Sequence, residues 1–262
     1  MTAGRNRRTT RNRAILFPFL LAALTAALPA RADYLLPTFD PANFDAGAAI
    51  DNPYLSYLPG MRRVHETKAN GDAEPDAPAA EHIDITFEGP GPVLAGVQTT
   101  VVLDRVYAEG LMIEETRDFY AQDRQGNVWY LGEDVVNLTR DATGVITGTD
   151  TKGSWRAGAN GAEPGYAMPA VALLTAGFAY QQEHAPQDQA MDRAEVLATG
   201  VTLITSMGTH DEVISILETS AVDPDLREVK HFAPGLGLLR EEEVAADLAP
   251  GDGITDLIEA NN

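Results

Sequence analysis

The chain has 262 residues, with 19 Lys and Arg against 39 Asp and Glu, and no cysteine. A formal charge of −20 repels nucleic acid and anionic lipid headgroups, so neither is an expected partner. Without cysteine, disulfides and thiol catalysis are excluded, and stability has to come from the apolar core that a chain of this length can bury.

Residues 1–32 read as a signal peptide. Arg5, Arg7, Arg8, Arg11 and Arg13 form a basic segment, Ala14 to Leu28 an apolar run of 15 residues, and Ala30-Arg31-Ala32 an A-x-A cleavage site. The apolar run is shorter than the roughly 20 residues of a membrane-spanning helix. No transmembrane segment is expected in the mature chain, and the protein is expected to be exported, to a periplasm or beyond the cell. Cleavage removes six Arg and no acid, leaving 13 basic and 39 acidic residues and a formal charge of −26.

Residues 33–60 read as an extended arm. Asp40-Pro41, Asn52-Pro53 and Pro59-Gly60 are turn signals, and Phe39, Phe44, Tyr54, Leu55, Tyr57 and Leu58 are placed to tie the arm to the body. An antiparallel β domain is expected over 61–243. Its first strand is read at Met61 to Lys68, followed by an exposed loop from Asn70 to Ala80. Glu81 to Phe87 alternates, with Ile83, Ile85 and Phe87 on one face and His82, Asp84 and Thr86 on the other. Gly89-Pro90-Gly91-Pro92 reads as a turn into a Val- and Thr-rich strand, Val97 to Tyr107.

Glu114 to Asp134 reads as the central hairpin. Two runs of strand formers flank Asp123-Arg124-Gln125-Gly126-Asn127, whose Gly supplies a left-handed turn position. This hairpin gathers Phe119, Tyr120, Trp129 and Tyr130 in a chain that is 7% aromatic. Val135 to Gly161 is loop-rich around Ser154-Trp155-Arg156, and Ala170 to Ala179 suits a short helix. Strands are read again at 180–184, 194–197, 201–205, 211–219, 227–233 and 237–242. The acidic tail, 244–262, is expected to add an edge strand or to fray. The fold class is therefore mainly β: an antiparallel meander forming a curved sheet, half-barrel or barrel, with few short helices.

Glu115 to Glu133, then Gly153-Ser154-Trp155, Pro164-Gly165 and Met168-Pro169, then Phe232-Ala233-Pro234-Gly235-Leu236-Gly237, resemble the motifs of a family of exported bacterial proteins with no assigned activity. The last hairpin is similar to one in the LolA/LppX-like half-barrels, envelope proteins whose curved sheet holds lipid. The first resemblance implies export and no catalytic residues. The second bears on the fold only.

Three sets of residues carry candidate chemistry. Glu114, Glu115, Arg117, Asp118 and Glu133 put charge on the hairpin, with Glu115 and Arg117 on one strand face and Glu114 and Asp118 on the other. Facing inward, such a set grips a polar headgroup; cross-strand ion pairing is the competing account. Asp123-x-Gln125-x-Asn127 resembles the start of a calcium loop but carries Val128 at the glycine position, and an ordinary turn explains the same residues. His65, His82, His184, His210 and His231 have no metal-ligand spacing, and no nucleophile elbow, phosphate loop or dinucleotide fingerprint is present. No catalytic residue, metal or cofactor is assigned.

The expected function is non-enzymatic binding of a lipid-like or amphipathic small molecule in the concave sheet, with Tyr120, Trp129, Tyr130, Trp155, Glu115 and Arg117 as the lining. Two alternatives stand beside it: a structural envelope protein whose acidic surface docks a basic protein partner, and a hydrolase with a carboxylate-based site.

Overall fold

Long runs of period two bury a face only when strands lie side by side, and here they do. The computed structural model describes residues 33–69 and 81–261; the expected signal peptide and the 70–80 loop lie outside those residues. The arm contributes a 3-10 turn at Pro41–Asn43, capped by Asp40, and a small hairpin of β1 (Ile50–Asn52) and β2 (Leu55–Tyr57). The meander follows: β3 (Arg62–Ala69), β4 (Glu81–Leu94), β5 (Val97–Ala108), β6 (Leu111–Gln122) and β7 (Val128–Arg140). Two short strands, β8 (Ile146–Asp150) and β9 (Trp155–Arg156), pair with β7, and β10 (Glu163–Met168) comes after them. Next are β11 (Ala179–Gln181), β12 (Glu183–His184), β13 (Asp192–Thr205) and β14 (Gly208–Ser220). The chain ends with β15 (Arg227–Ala233), β16 (Gly237–Val244) and β17 (Pro250–Asn261).

Apart from β1 and β2, the described strands form one antiparallel sheet of 15: thirteen in the order β11-β13-β14-β15-β16-β17-β3-β4-β5-β6-β7-β10-β12, with β8 and β9 off this path on β7. Its two ends meet through a single extended segment. Ala179–Gln181 pairs with β13, and Glu183–His184 pairs with Glu163 and Pro164 of β10. The sheet is thereby nearly closed into a barrel. Closure depends on Gly165, where a Cβ atom would collide with the Gln181 carbonyl.

The structure departs from the sequence reading in four places. Gly89 to Pro92 is not a turn. β4 continues through it, with register shifts at Phe87/Gly89 and Pro90/Val93, and reverses at Ala95-Gly96. Proline has no N–H for a ladder, and bulges are where a strand tolerates that. The runs 194–197 and 201–205 belong to one bulged strand, β13. The helix read at Ala170 to Ala179 is only a 3-10 turn, Val171–Leu173, with Gly177 at φ +87° soon after. The tail is neither frayed nor an edge: β17 lies inside the sheet, paired with β16 on one side and β3 on the other.

The apolar interior is built from Val102, Val128, Met168, Tyr180, Val196, Ile214, Ile216 and Phe232. Hairpin β1-β2 plugs one end, adding Ile50, Leu55 and Tyr57 to that cluster. Gln122 Oε1 accepts from the Asp51 and Asn52 N–H groups, and Asn52 Nδ2 donates to the Gly126 and Pro169 carbonyls. Gly235 N–H donates to the Pro53 carbonyl. The plug is thus held between the β6-β7 and β15-β16 turns. A second cluster, including Phe119, Trp129, Leu131 and Trp155, is covered by Phe39 and Phe44 of the arm.

Candidate ligand cavity

Inside the barrel, next to the plug, is a cavity of about 300 Å³. Its apolar side is formed by Leu55, Tyr57, Ile85, Val102, Phe232 and Leu238. Its polar side carries Asp104, Asp118, Glu133, Glu183, Asp192, Glu218 and Lys230. Strand alternation explains the layering. On β5, Val102 and Asp104 point the same way; so do Ile216 and Glu218 on β14, and Phe232 and Lys230 on β15. Each inward row begins apolar at the plug and turns charged farther along the barrel.

On the central hairpin a bulge sets the geometry. Phe119 pairs with Gly132 and Tyr120 with Tyr130, so Leu131 is an extra residue on β7. Tyr130 and Glu133, separated by an odd number of positions, therefore both line the cavity. Gly132 takes φ +143° at the bulge, with the Trp155 carbonyl where a Cβ would be. Asp118 is opposite Glu133, and the Tyr130 hydroxyl donates to Asp118 Oδ1 at 2.6 Å. Tyr57, Tyr120 and Tyr130 stack in series, with centroids 5.0 and 4.9 Å apart. Tyr120 and Tyr130 are half-buried and border this space.

Burial dominates the electrostatics. Desolvation, with nearby carboxylates, raises the Asp118 carboxyl to about 7, against the pull of the Tyr130 hydroxyl. The same desolvation, aided by the charges of Asp118 and Glu183, raises Glu133 to about 9. Glu183 rises to about 8, and Asp104 goes well above the carboxylate range, again chiefly by desolvation. Lys230 is the exception. Burial alone would lower its pKa, but Glu218, Glu241 and Glu228 outweigh burial and raise it, their carboxylates 2.6, 3.3 and 3.5 Å from Nζ. Trp155 Nε1 is turned toward Glu183 but is too loosely aligned for a full hydrogen bond.

Of the residues assigned from sequence, Tyr120 and Tyr130 line the cavity. Trp129 and Trp155, each 3% exposed, are packed into the second cluster; Trp155 lies on the Glu133 face, edge-on to Tyr130, behind the lining. Glu115 and Arg117 lie on the other strand face in an ion-pair chain, Arg105–Glu115–Arg117–Glu88, with contacts of 2.9, 2.7 and 3.2 Å. The calcium-like loop is saturated from within. Asp123 Oδ1 accepts from the Gln125 and Asn127 N–H groups, and Oδ2 accepts from Asn127 Nδ2 and Trp129 Nε1. Asp104, Glu183, Asp192, Glu218 and Lys230 were not legible as site residues, although a charge two residues from an inward apolar side chain marks several of them.

No protein-family model matches this chain, and no curated protein does. Among solved structures, a candidate exported protein with a YmcC-like fold from Bacteroides fragilis aligns over 80% of this chain and 100% of its own, at 9% identity and a TM-score of 0.42. A candidate lipoprotein from Parabacteroides distasonis aligns over 80% and 99%, at 10% identity and 0.37. The motif family and the LolA/LppX likeness do not come out of these comparisons. Among the described residues, no helix is long and apolar enough to cross a membrane.

Proposed function

We propose that the protein is an exported binding protein that holds a small amphipathic molecule inside its nearly closed barrel. The observation that carries this reading is the interior cavity itself, apolar beside the plug and hydrogen-bonding on the opposite wall. Its volume is at the lower end of the roughly 300–1,000 Å³ of small-molecule sites, which suits a compact ligand and not a whole diacyl lipid. Tyr120 and Tyr130 belong to the lining; Trp155 packs behind Tyr130, and Trp129, Glu115 and Arg117 lie on the other strand face. Native mass spectrometry of the protein purified from its own exported fraction tests the reading. A non-covalent adduct, released on denaturation and lost in the cavity-filling Ala167→Phe variant, is expected. Identical masses for native and denatured protein would count against it.

A second reading, a carboxylate-based hydrolase, is favoured by one observation: Asp118 and Glu133 are opposite each other on the cavity wall with their proton affinities pushed apart. Turnover of chromogenic glycosides or esters, abolished in Glu133→Gln, would support it.

A further inference from the structure

The cavity wall carries more acid than its own chain neutralises. Among the described residues Lys230 is the one cationic side chain in the lining, and it is already engaged by Glu218, Glu228 and Glu241. Asp104, Asp118 and Glu183 have no cation within salt-bridge distance among the described residues. Asp104 Oδ1 is shut off from water and accepts no hydrogen bond among the described residues. Glu183 is 5% exposed; it accepts a 3.3 Å bond from the Asp192 N–H and faces Trp155 Nε1. Asp118 is near enough to feel both of them. A buried carboxyl without a partner is costly, and a ligand that supplies N–H donors and positive charge relieves that cost.

Two further features narrow the chemistry. Among the described residues, no three carboxylates or imidazoles are close enough to share a metal ion, so the acid is spread over a space larger than a bare ion fills. The stacked Tyr57, Tyr120 and Tyr130 border the same space, and aromatic rings attract organic cations.

We infer that the cavity takes a small organic cation: a protonated amine held at the acidic wall that carries Asp104, Asp118 and Glu183, on a short apolar or aromatic body packed against the tyrosines. This rests on the cavity being a ligand site, as proposed above, and adds the charge of the ligand. With the ammonium bound, the carboxyl it meets is stabilised in its ionised form.

Three probes of one shape and different charge test it by isothermal titration: 2-phenylethylamine, 2-phenylethanol and 3-phenylpropionate. The amine is expected to bind more tightly than the alcohol by about tenfold or more, and the propionate not at all. The double variant Asp104→Asn, Glu183→Gln should weaken the amine by about tenfold while leaving the alcohol within about twofold. A matching far-UV spectrum and melting transition show that the variant is folded. Equal binding of amine and alcohol, or an unchanged amine affinity in the folded variant, overturns the inference and leaves the binding reading intact. Silence from all three probes overturns it too, and the co-purification measurement then decides separately whether the cavity holds a ligand.

Discussion

At the scale of single residues, the buried acids make the protein's stability depend on pH. A carboxyl raised in the folded state binds protons that the unfolded chain has already lost, so stability falls as pH rises from the ordinary carboxylate range to the folded value. For Asp118, Glu228, Glu183 and Glu133 those folded values are about 7, 7, 8 and 9. His65 and His231 act in the other direction: burial lowers both, and their contribution is lost only as pH falls below the ordinary histidine range. Four raised carboxyls outweigh two lowered histidines, so thermal melts are expected to be highest near about pH 5 and to drop toward about pH 9. Glu133→Gln should drop less, because one of the ionising groups is gone. Asp123 acts by geometry instead. It accepts four N–H bonds while 6% exposed, so Asp123→Ala strands several donors and should cost about 2–4 kcal/mol in chemical denaturation.

At the scale of elements, two glycines decide what the strands can do. Gly132 lets β7 bulge against the Trp155 carbonyl, and that bulge brings Tyr130 and Glu133 onto one wall. Gly165 lets β10 approach the Gln181 carbonyl, which draws the two ends of the sheet together. Gly165→Val is expected to destabilise by about 1–3 kcal/mol. It should also raise hydrogen exchange selectively in β11, β12 and the facing part of β10, which separates lost closure from general loosening. The hairpin Glu114 to Asp134 was legible because its strand formers and turn residues agree. The Gly89 to Pro92 segment was misread because its residues also suit a bulged strand, and pairing with β5 decided between the two.

At the scale of the whole molecule, the arm and the tail are structural members. Hairpin β1-β2 closes the barrel end that forms the apolar side of the cavity. β17 bridges β16 and β3, so a chain ending at Ala249 loses an interior strand and bares two edges. Such a truncation is expected to show no cooperative melt and to elute as aggregate in size exclusion. The acid excess works against compactness through self-repulsion, and added sodium chloride should raise the melting temperature by screening it.

Composition and alternation were enough to establish an acidic, cysteine-free, antiparallel β protein, because charge is additive and a period of two reports a half-buried strand whatever lies beside it. Trp129, read as lining, is on the other strand face, since which face becomes the interior depends on the direction in which the sheet curls; Trp155 packs behind Tyr130. The meeting of Asp104, Asp118, Glu183 and Lys230 from distant strands likewise waited on closure of the barrel. Register, bulges and curvature are set by partners far away in the chain, and no local pattern carries them.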